Sequence, residues 1–233
     1  MNSTAIEASQ TRVAGSDKTS SFKMAGMRNP GDVLKKTQRI NAGLVVPVTG
    51  SGDYDDDEMT FVDIHDPESP EFKRLWLLYN TSFPEDERRS LLEHELVMDD
   101  PRFHFSAIRR KGVTVGLLAY WLLHDMFFIE HFAICPESRS AGIGGKVIEQ
   151  LQYYADRKIV LDVEPKNDST DTYRRVRFYE KHGFRYCPKP VVLPSYWFAK
   201  PIASNLMVWS SNKTNLTQRK IVEDIRKSIY SIG

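Results

Sequence analysis

The pattern of apolar and polar positions divides much of the chain into helical and strand segments. Residues 69–83 place large apolar side chains on one helical face, and Ser69 and Pro70 are favourable at the start of a helix. The next stretch, PEDERRSLLEHELVM, predicts a second helix. Its Glu85 and Asp86 would occupy the first turn, where acidic side chains are stabilising.

Strand spacing dominates the middle of the chain. After a first strand, MTFVDI, and the two helices, FHFSAIRR and VTVGLLAYWLL flank Lys111-Gly112 and predict a hairpin, which MFFIEHFAI extends to a meander. A helix from about Gly144, a buried strand KIVLDVE, a helix ending at Gly183 and a strand NLMVWS follow. The order β-α-α-β-β-β-α-β-α-β-α predicts an α/β domain with a mixed, mostly antiparallel central sheet flanked by helices.

The two ends of the chain differ from this central region. Residues 1–58 contain few large apolar side chains and end in the acidic cluster DYDDDE, which predicts a flexible N-terminal extension. We expect the folded domain to cover residues 59–210. Residues 211–233 contain apolar side chains at helical spacing and predict a C-terminal helix packed on the domain, with a homodimer interface as the alternative.

Composition narrows the class of protein. The 32 basic and 31 acidic residues give a net charge of +1, which offers no reason to expect nucleic-acid binding or a basic membrane contact. Cys135 and Cys187 form neither a disulfide framework nor a zinc-binding spacing. The first residues lack the apolar core of a signal peptide, and no stretch approaches the ~20 apolar residues of a membrane span. We therefore expect a cytoplasmic protein without a metal ion or membrane contact.

The junction CPESRSAGIGGKVIEQL has little side-chain bulk between a strand and a helix. It lacks the Ser or Thr that a Walker loop needs after Gly145-Lys146, and Val147 occupies the third glycine position of a dinucleotide fingerprint. An Arg-x-x-Gly-x-Gly motif remains, from Arg139 to Gly144. The free amides and partial positive charge of a helix start favour phosphate binding there. A tight turn without a ligand is the alternative.

This junction, read as IEHFAICPESRSAGIGGKVIEQL, resembles motif A of the GNAT superfamily of N-acetyltransferases. KIVLDVEPKN and RRVRFYEKHGFRY are similar to the strand and the Phe-Tyr-x-x-x-Gly-Phe segment that follow in that family. The resemblance covers about residues 59–210 and implies the GNAT fold and the use of acetyl-CoA. It implies that the following residues bind acetyl-CoA: Phe132, Ala133, Ile134, Arg139, Ser140, Ala141, Gly142, Ile143, Gly144, Gly145, Lys146 and Asn167.

Glu130 and Tyr179 are the predicted catalytic residues. An acidic residue is rare in a strand as apolar as FFIEHFAI, and partial burial is expected to raise its pKa toward the range of a general base. Alternatively, Glu130 pairs with a cation or faces solvent. Strand alternation directs the neighbouring His131 to the opposite face, in a structural role. The resemblance implies that Tyr179 protonates the departing thiolate; as an alternative, it is a core aromatic residue.

The leading functional hypothesis is direct transfer of an acetyl group from acetyl-CoA to a primary amine, in a small molecule or a peptide. Cys135 has no neighbouring feature that would activate it, so a covalent acyl-enzyme is disfavoured. One alternative is a non-catalytic acyl-CoA-binding regulatory module on the same fold. Another is an unrelated nucleotide-phosphate binder. The acidic residues of LYNTSFPEDER would favour a cationic acceptor, but the sequence does not identify the acceptor.

Overall fold

A computed structural model of the protein describes residues 59–165, 170–193, 201–211 and 217–230. The strands are β1 (Met59–Asp63), β2 (Phe103–Arg110), β3 (Val113–Leu122), β4 (Met126–Ile134), β5 (Lys158–Val163), β6 (Arg185–Tyr186), β7 (Val191–Leu193) and β8 (Ile202–Trp209). The helices are α1 (Pro70–Ser82), α2 (Leu91–Met98), α3 (Ile143–Tyr154), α4 (Thr170–Lys181) and α5 (Gln218–Ile229). The predicted extension, residues 1–58, and Asn167 lie outside the described residues.

The strands form one sheet in the order β1-β2-β3-β4-β5-β8-β6, and β7 pairs with β8 beside this path. The β4–β5 pair is parallel, and the other strand pairs in the described ranges are antiparallel. This confirms the predicted mixed, mostly antiparallel sheet flanked by helices. The predicted order of elements is also observed, with the short strands β6 and β7 added between α4 and β8.

The first two helices show how local sequence sets their starting points. The Ser69 hydroxyl accepts a hydrogen bond from the Phe72 amide at 3.2 Å, which caps α1 as predicted. The second helix starts later than predicted, because Glu85–Glu87 form a separate 3-10 turn. Helix α2 begins after Ser90. The Ser90 hydroxyl accepts a hydrogen bond from the Glu93 amide, and the Glu93 carboxylate accepts one from the Ser90 amide. This reciprocal cap provides partners for two amides at the start of α2 that have none within the helix.

Each face of the sheet is covered by its own set of helices. Helices α1, α2 and α5 pack on one face, here called the α1 face, and α5 buries Ile221, Ile225 and Ile229 there. Helices α3 and α4 cover the opposite face, here called the α3 face. Apolar side chains of the central strands alternate between the two cores. The parallel pair β4–β5 therefore runs between two helical layers.

Two kinds of feature are absent from the described part of the chain. None of its helices combines the length and apolar character needed to cross a membrane. The same residues contain no cluster of three or more His, Cys, Asp or Glu side chains arranged to hold a metal ion.

Candidate active site

Strands β4 and β5 separate halfway along β4. Their last paired residues are Ile129 and Leu161, whereas β4 remains paired with β3 as far as Ile134. The amide of Cys135 donates to the Val115 carbonyl at 2.9 Å, toward β3. Since backbone groups alternate in direction along a strand, those of residues 132 and 134 face the gap instead. We call this gap between the two strands the fork.

A β-bulge lies where the fork begins. Ala119 pairs with His131 and Tyr120 pairs with Ile129, so β4 has one extra residue, Glu130, at this point of the register. A bulge bends its strand and interrupts the alternation of side chains. As a result, Glu130 and His131 both point to the α1 face, and the prediction that strand alternation places His131 on the opposite face is wrong.

Glu130 forms a buried ion pair with Arg89. The two guanidinium nitrogens donate to the two carboxylate oxygens at 2.5 and 2.8 Å, and the side chains are 6% and 3% exposed. The Arg89 amide donates to the Tyr79 hydroxyl at 2.8 Å, and its guanidinium lies 5.4 Å from the centre of the Phe103 ring. The structure therefore shows the cation pairing that the sequence left open for Glu130. Such a bidentate pair stabilises the ionised carboxylate and fixes its position.

His131 is buried beside this pair. Its Nε2–H donates to the Glu87 carbonyl oxygen at 2.8 Å, and its ring packs edge-on against Tyr79 and Phe83. Burial lowers the pKa of His131, which favours the neutral ring at pH 7. These contacts suit the structural role expected for it.

A cavity of about 350 Å³ occupies the fork. It brings together six of the residues predicted for the site: Glu130, Phe132, Ala133, Ile134, Arg139 and Tyr179. Tyr179 reaches the cavity from α4 on the α3 face, and its ring packs against Phe178 and Phe184. Burial raises the pKa of Tyr179, so its hydroxyl stays protonated at neutral pH and can donate a proton or a hydrogen bond. It is both a core aromatic residue and a cavity residue.

The glycine-containing loop forms an open helix start. Gly142 precedes α3 with φ +70°, a left-handed conformation, and its position leaves the first amides of α3 without a side-chain cap. Ser140 has a similar φ of +69°. A Cβ built on Gly142 meets nothing within 4 Å, so the space in front of this helix start is open. Arg139 ties the loop to the fork, because its Nε donates to the Ile134 carbonyl at 3.0 Å.

The remaining predicted acetyl-CoA residues differ in what they offer. Ser140 and Ala141 are exposed in the loop, whereas the Ile143 side chain is buried in the core and leaves only its backbone for a ligand. Gly145 allows α3 to approach α4, because a Cβ there would lie 3.0 Å from the His182 ring. Gly144 and Lys146 are half-buried at the start of α3. Asn167 is not among the described residues.

Comparison with known proteins agrees with this geometry. Residues 69–184 match the model of the acetyltransferase (GNAT) family. The chain belongs to the GNAT acetyltransferase family. The fold predicted from the glycine motif is thereby confirmed.

Two relatives illustrate the likeness to other GNAT proteins. YjbC of Bacillus subtilis (strain 168), named as a candidate acetyltransferase, is 32% identical over 106 residues, which are 45% of this chain and 53% of YjbC. The match thus spans about half the length of that relative. A candidate GNAT acetyltransferase of Bacteroides thetaiotaomicron has a solved structure with a TM-score of 0.68 at 27% identity, covering 74% of this chain and 99% of that one.

A more distant solved structure is a GNAT acetyltransferase of Elizabethkingia anophelis with acetyl-CoA bound. Its TM-score is 0.43 at 16% identity, and the match covers 67% of this chain and 99% of that one.

The GNAT fold of this chain brings two further residues to the site that the sequence reasoning missed. Arg89 is one, and nothing in ERRSLL distinguishes it from its neighbours. Asp162 is the other: it follows the last residue of β5 that pairs with β4, lines the cavity and accepts a hydrogen bond from Ser204. Its signal was present, because an acidic residue within the apolar strand KIVLDVE is as rare as Glu130 in β4.

Proposed function

We propose that this GNAT protein is an N-acetyltransferase that transfers an acetyl group directly from acetyl-CoA to a primary amine. One observation carries this proposal: the open edge of β4 connects the uncapped start of α3 to a cavity lined by Glu130 and Tyr179. An exposed strand edge can pair with the amide groups of a pantetheine arm. An open helix start provides amides and partial positive charge for a pyrophosphate.

In this arrangement the chain's own groups have distinct roles. The backbone of Phe132 and Ile134 holds the pantetheine arm, while Arg139 and the first amides of α3 hold the pyrophosphate. The Tyr179 hydroxyl donates a proton to the departing sulfur, which lowers the cost of releasing it. Burial raises the pKa of Cys135, so its thiol is a poor nucleophile, which supports direct transfer in a ternary complex.

The acceptor is proposed to be a cationic small-molecule or peptide amine. Asp86 and Glu87 line the cavity from the turn that precedes α2. Burial and the nearby charges of Glu164 and Asp162 raise the pKa of Glu87. A positively charged amine would relieve this repulsion among carboxylates.

The first experiment is isothermal titration of the full chain with acetyl-CoA, with ATP and NAD measured beside it. We expect micromolar binding of acetyl-CoA alone, followed by thiol release when primary amines are added. Tyr179→Phe should keep the affinity for acetyl-CoA and lose at least about 100-fold in kcat. Tyr173→Phe on the exposed side of the same helix is the matched control and should leave both unchanged. Absence of acetyl-CoA binding by folded protein would refute the proposal.

The Arg89–Glu130 pair favours one alternative function. Because both oxygens of the predicted base already accept from a buried guanidinium, a module that binds acyl-CoA without transferring the acyl group is the second candidate. It predicts tight acetyl-CoA binding with no thiol release for any amine. The same titration and thiol assay therefore separate the two functions.

A further inference from the structure

We propose that Asp162, on the β5 side of the fork, is the group that takes the proton from the acceptor amine. This inference rests on the proposed N-acetyl transfer and deepens it. Asp162 on β5 then has the role of general base that was predicted for Glu130 on β4. Glu130, held by Arg89, has a positioning and electrostatic role instead.

The position of Asp162 in the sheet carries the argument. The last β4–β5 pair is Ile129 with Leu161, so Glu130 and Asp162 are the first residues on the two separated strands. Leu161 and Val163 belong to the core on the α3 face, and by alternation Asp162 points to the α1 face, as Glu130 does. Two carboxylates thus flank the entrance of the fork on one face, while Tyr179 approaches from the other.

The two carboxylates differ in their partners. Glu130 is held by a bidentate guanidinium and its side chain is 3% exposed, so taking a proton would cost it a buried ion pair. Asp162 is half-buried like Glu130 and lines the cavity, but its carboxylate accepts hydrogen bonds from neutral donors, the Ser204 hydroxyl and its own backbone amide. A carboxylate that faces the cavity and is held only by neutral donors among these hydrogen bonds can accept a proton without breaking a buried ion pair.

The surroundings of Asp162 raise the pKa of its carboxyl group. Burial raises its pKa above the usual 3.8, and so does the charge of Glu130, while the Ser204 hydrogen bond, a hydrogen bond from its own backbone amide and the Arg175 charge act in the opposite direction. A base is most effective when its pKa approaches the pH of the reaction. The titratable and charged side chains that share the cavity with it are Asp86, Glu87, Glu130, His131, Arg139, Glu164, Arg175, Tyr179 and Tyr230.

The proton and electron pairs balance as follows. The acceptor ammonium gives one proton to the Asp162 carboxylate, directly or through one water molecule. The freed nitrogen lone pair forms the C–N bond to the acetyl carbon, and the C–S bond breaks with its electrons on sulfur. The Tyr179 hydroxyl gives its proton to sulfur and recovers one when the second nitrogen proton is transferred to its oxygen, so the products are the amide and the CoA thiol. Asp162 then releases its proton to solvent through the cavity mouth.

The test is the pH dependence of kcat/KM, measured by thiol release from acetyl-CoA with spermidine, tyramine and a tripeptide with a free N-terminus. Since the base must be ionised, kcat/KM falls as pH decreases through the pKa of Asp162. We call this fall the acidic limb of the pH profile. Asp162→Asn should lower kcat/KM at least about 100-fold and abolish the acidic limb. Asp171→Asn on the exposed side of α4 is the matched control and should keep the wild-type profile.

Two neighbouring substitutions should move the limb in opposite directions. Glu130→Gln removes a charge that raises the pKa of Asp162, so the limb should shift to lower pH. Ser204→Ala removes a hydrogen bond that lowers this pKa, so the limb should shift to higher pH. These shifts test the assignment even if Asp162→Asn fails to fold, and a merely structural Asp162 would not produce them.

A second readout does not depend on turnover. The carboxyl ¹³C shift of Asp162, assigned by its loss in Asp162→Asn, should titrate above the ordinary aspartate range. Titration at or below 3.8 would overturn the assignment. It would also be overturned if the Asp162→Asn variant were active and its kcat/KM still fell with decreasing pH as in the wild type. If no amine releases thiol from wild-type protein, N-acetyl transfer itself fails and the assignment falls with it. If wild type is active and only Glu130→Gln loses the limb, Glu130 is the base.

Discussion

Strand β4 has two halves that differ in how they are paired. Its first half, as far as Ile129, is paired with β3 on one edge and β5 on the other. Its second half, from His131 to Ile134 beyond the bulge at Glu130, is paired with β3 alone and borders the cavity. The first half of the strand therefore lies within the sheet, and the second half leaves one edge open to a ligand. The difference teaches that stability and ligand affinity should respond separately to substitutions in the two halves.

The largest effect on stability is expected in the closed half, from Phe127→Ala. Phe127 is buried and stacks on Tyr120 with ring centres 4.4 Å apart. Its loss should lower the free energy of unfolding by about 3–5 kcal/mol, because a cavity remains in the core. Urea unfolding measures this loss. The affinity of the folded protein for acetyl-CoA should stay within about threefold of wild type. A larger loss of affinity would show that the two halves are not separable.

An intermediate effect on stability, with a larger one on binding, is expected from Gly116→Ala in β3. A Cβ at Gly116 would lie 2.5 Å from the Ala133 carbonyl oxygen, so the open half of β4 must move. We expect a loss of about 1–3 kcal/mol in stability from this overpacking. Acetyl-CoA affinity should fall at least about tenfold, as isothermal titration would show. Val113→Ala at the exposed start of the same strand is the control and should leave acetyl-CoA affinity unchanged.

The smallest effect on stability is expected from Gly142→Ala, in the loop that connects the open half of β4 to α3. The left-handed φ of +70° costs an alanine about 1–2 kcal/mol, although the space around it is open. If the loop holds the pyrophosphate, acetyl-CoA affinity should fall as well. Ser90→Ala removes the cap of α2 at a similar cost of about 1 kcal/mol and should leave acetyl-CoA affinity unchanged. Equal affinity losses in both variants would contradict the assignment of the loop.

Local sequence signals were sufficient for the elements that local contacts determine. Helix α1 begins at its predicted cap, and Lys111 and Gly112 form the predicted hairpin turn with positive φ angles. Helix α2 starts later than predicted because the acidic residues after Pro84 form a separate turn, and the reciprocal cap of Ser90 and Glu93 sets the helix start. Strands β6 and β7, with two and three residues, are too short to produce a periodic pattern.

The candidate site was predictable only where its residues share a motif. The loop from Arg139 and the strand from Phe132 were found in this way, and the structure brings both to the fork. The bulge at Glu130 has no signal in the sequence, since it depends on the register with β3. The Arg89–Glu130 pair joins residues 41 positions apart, and local patterns do not report such contacts. Asp162 could have been found by applying the Glu130 argument to a second strand.

The bulge also has a consequence for the thermodynamics of binding. Between two neighbouring pairs, β3 contributes one step, from Ala119 to Tyr120, whereas β4 contributes two, from His131 to Ile129. The bend of β4 at the fork is therefore caused by this one extra residue in the strand. The separation of β4 from β5 is then a property of the backbone that is established when the chain folds. A ligand that pairs with the open edge does not have to break interstrand hydrogen bonds first. Preorganisation of this kind leaves more of the gross interaction energy as observed affinity.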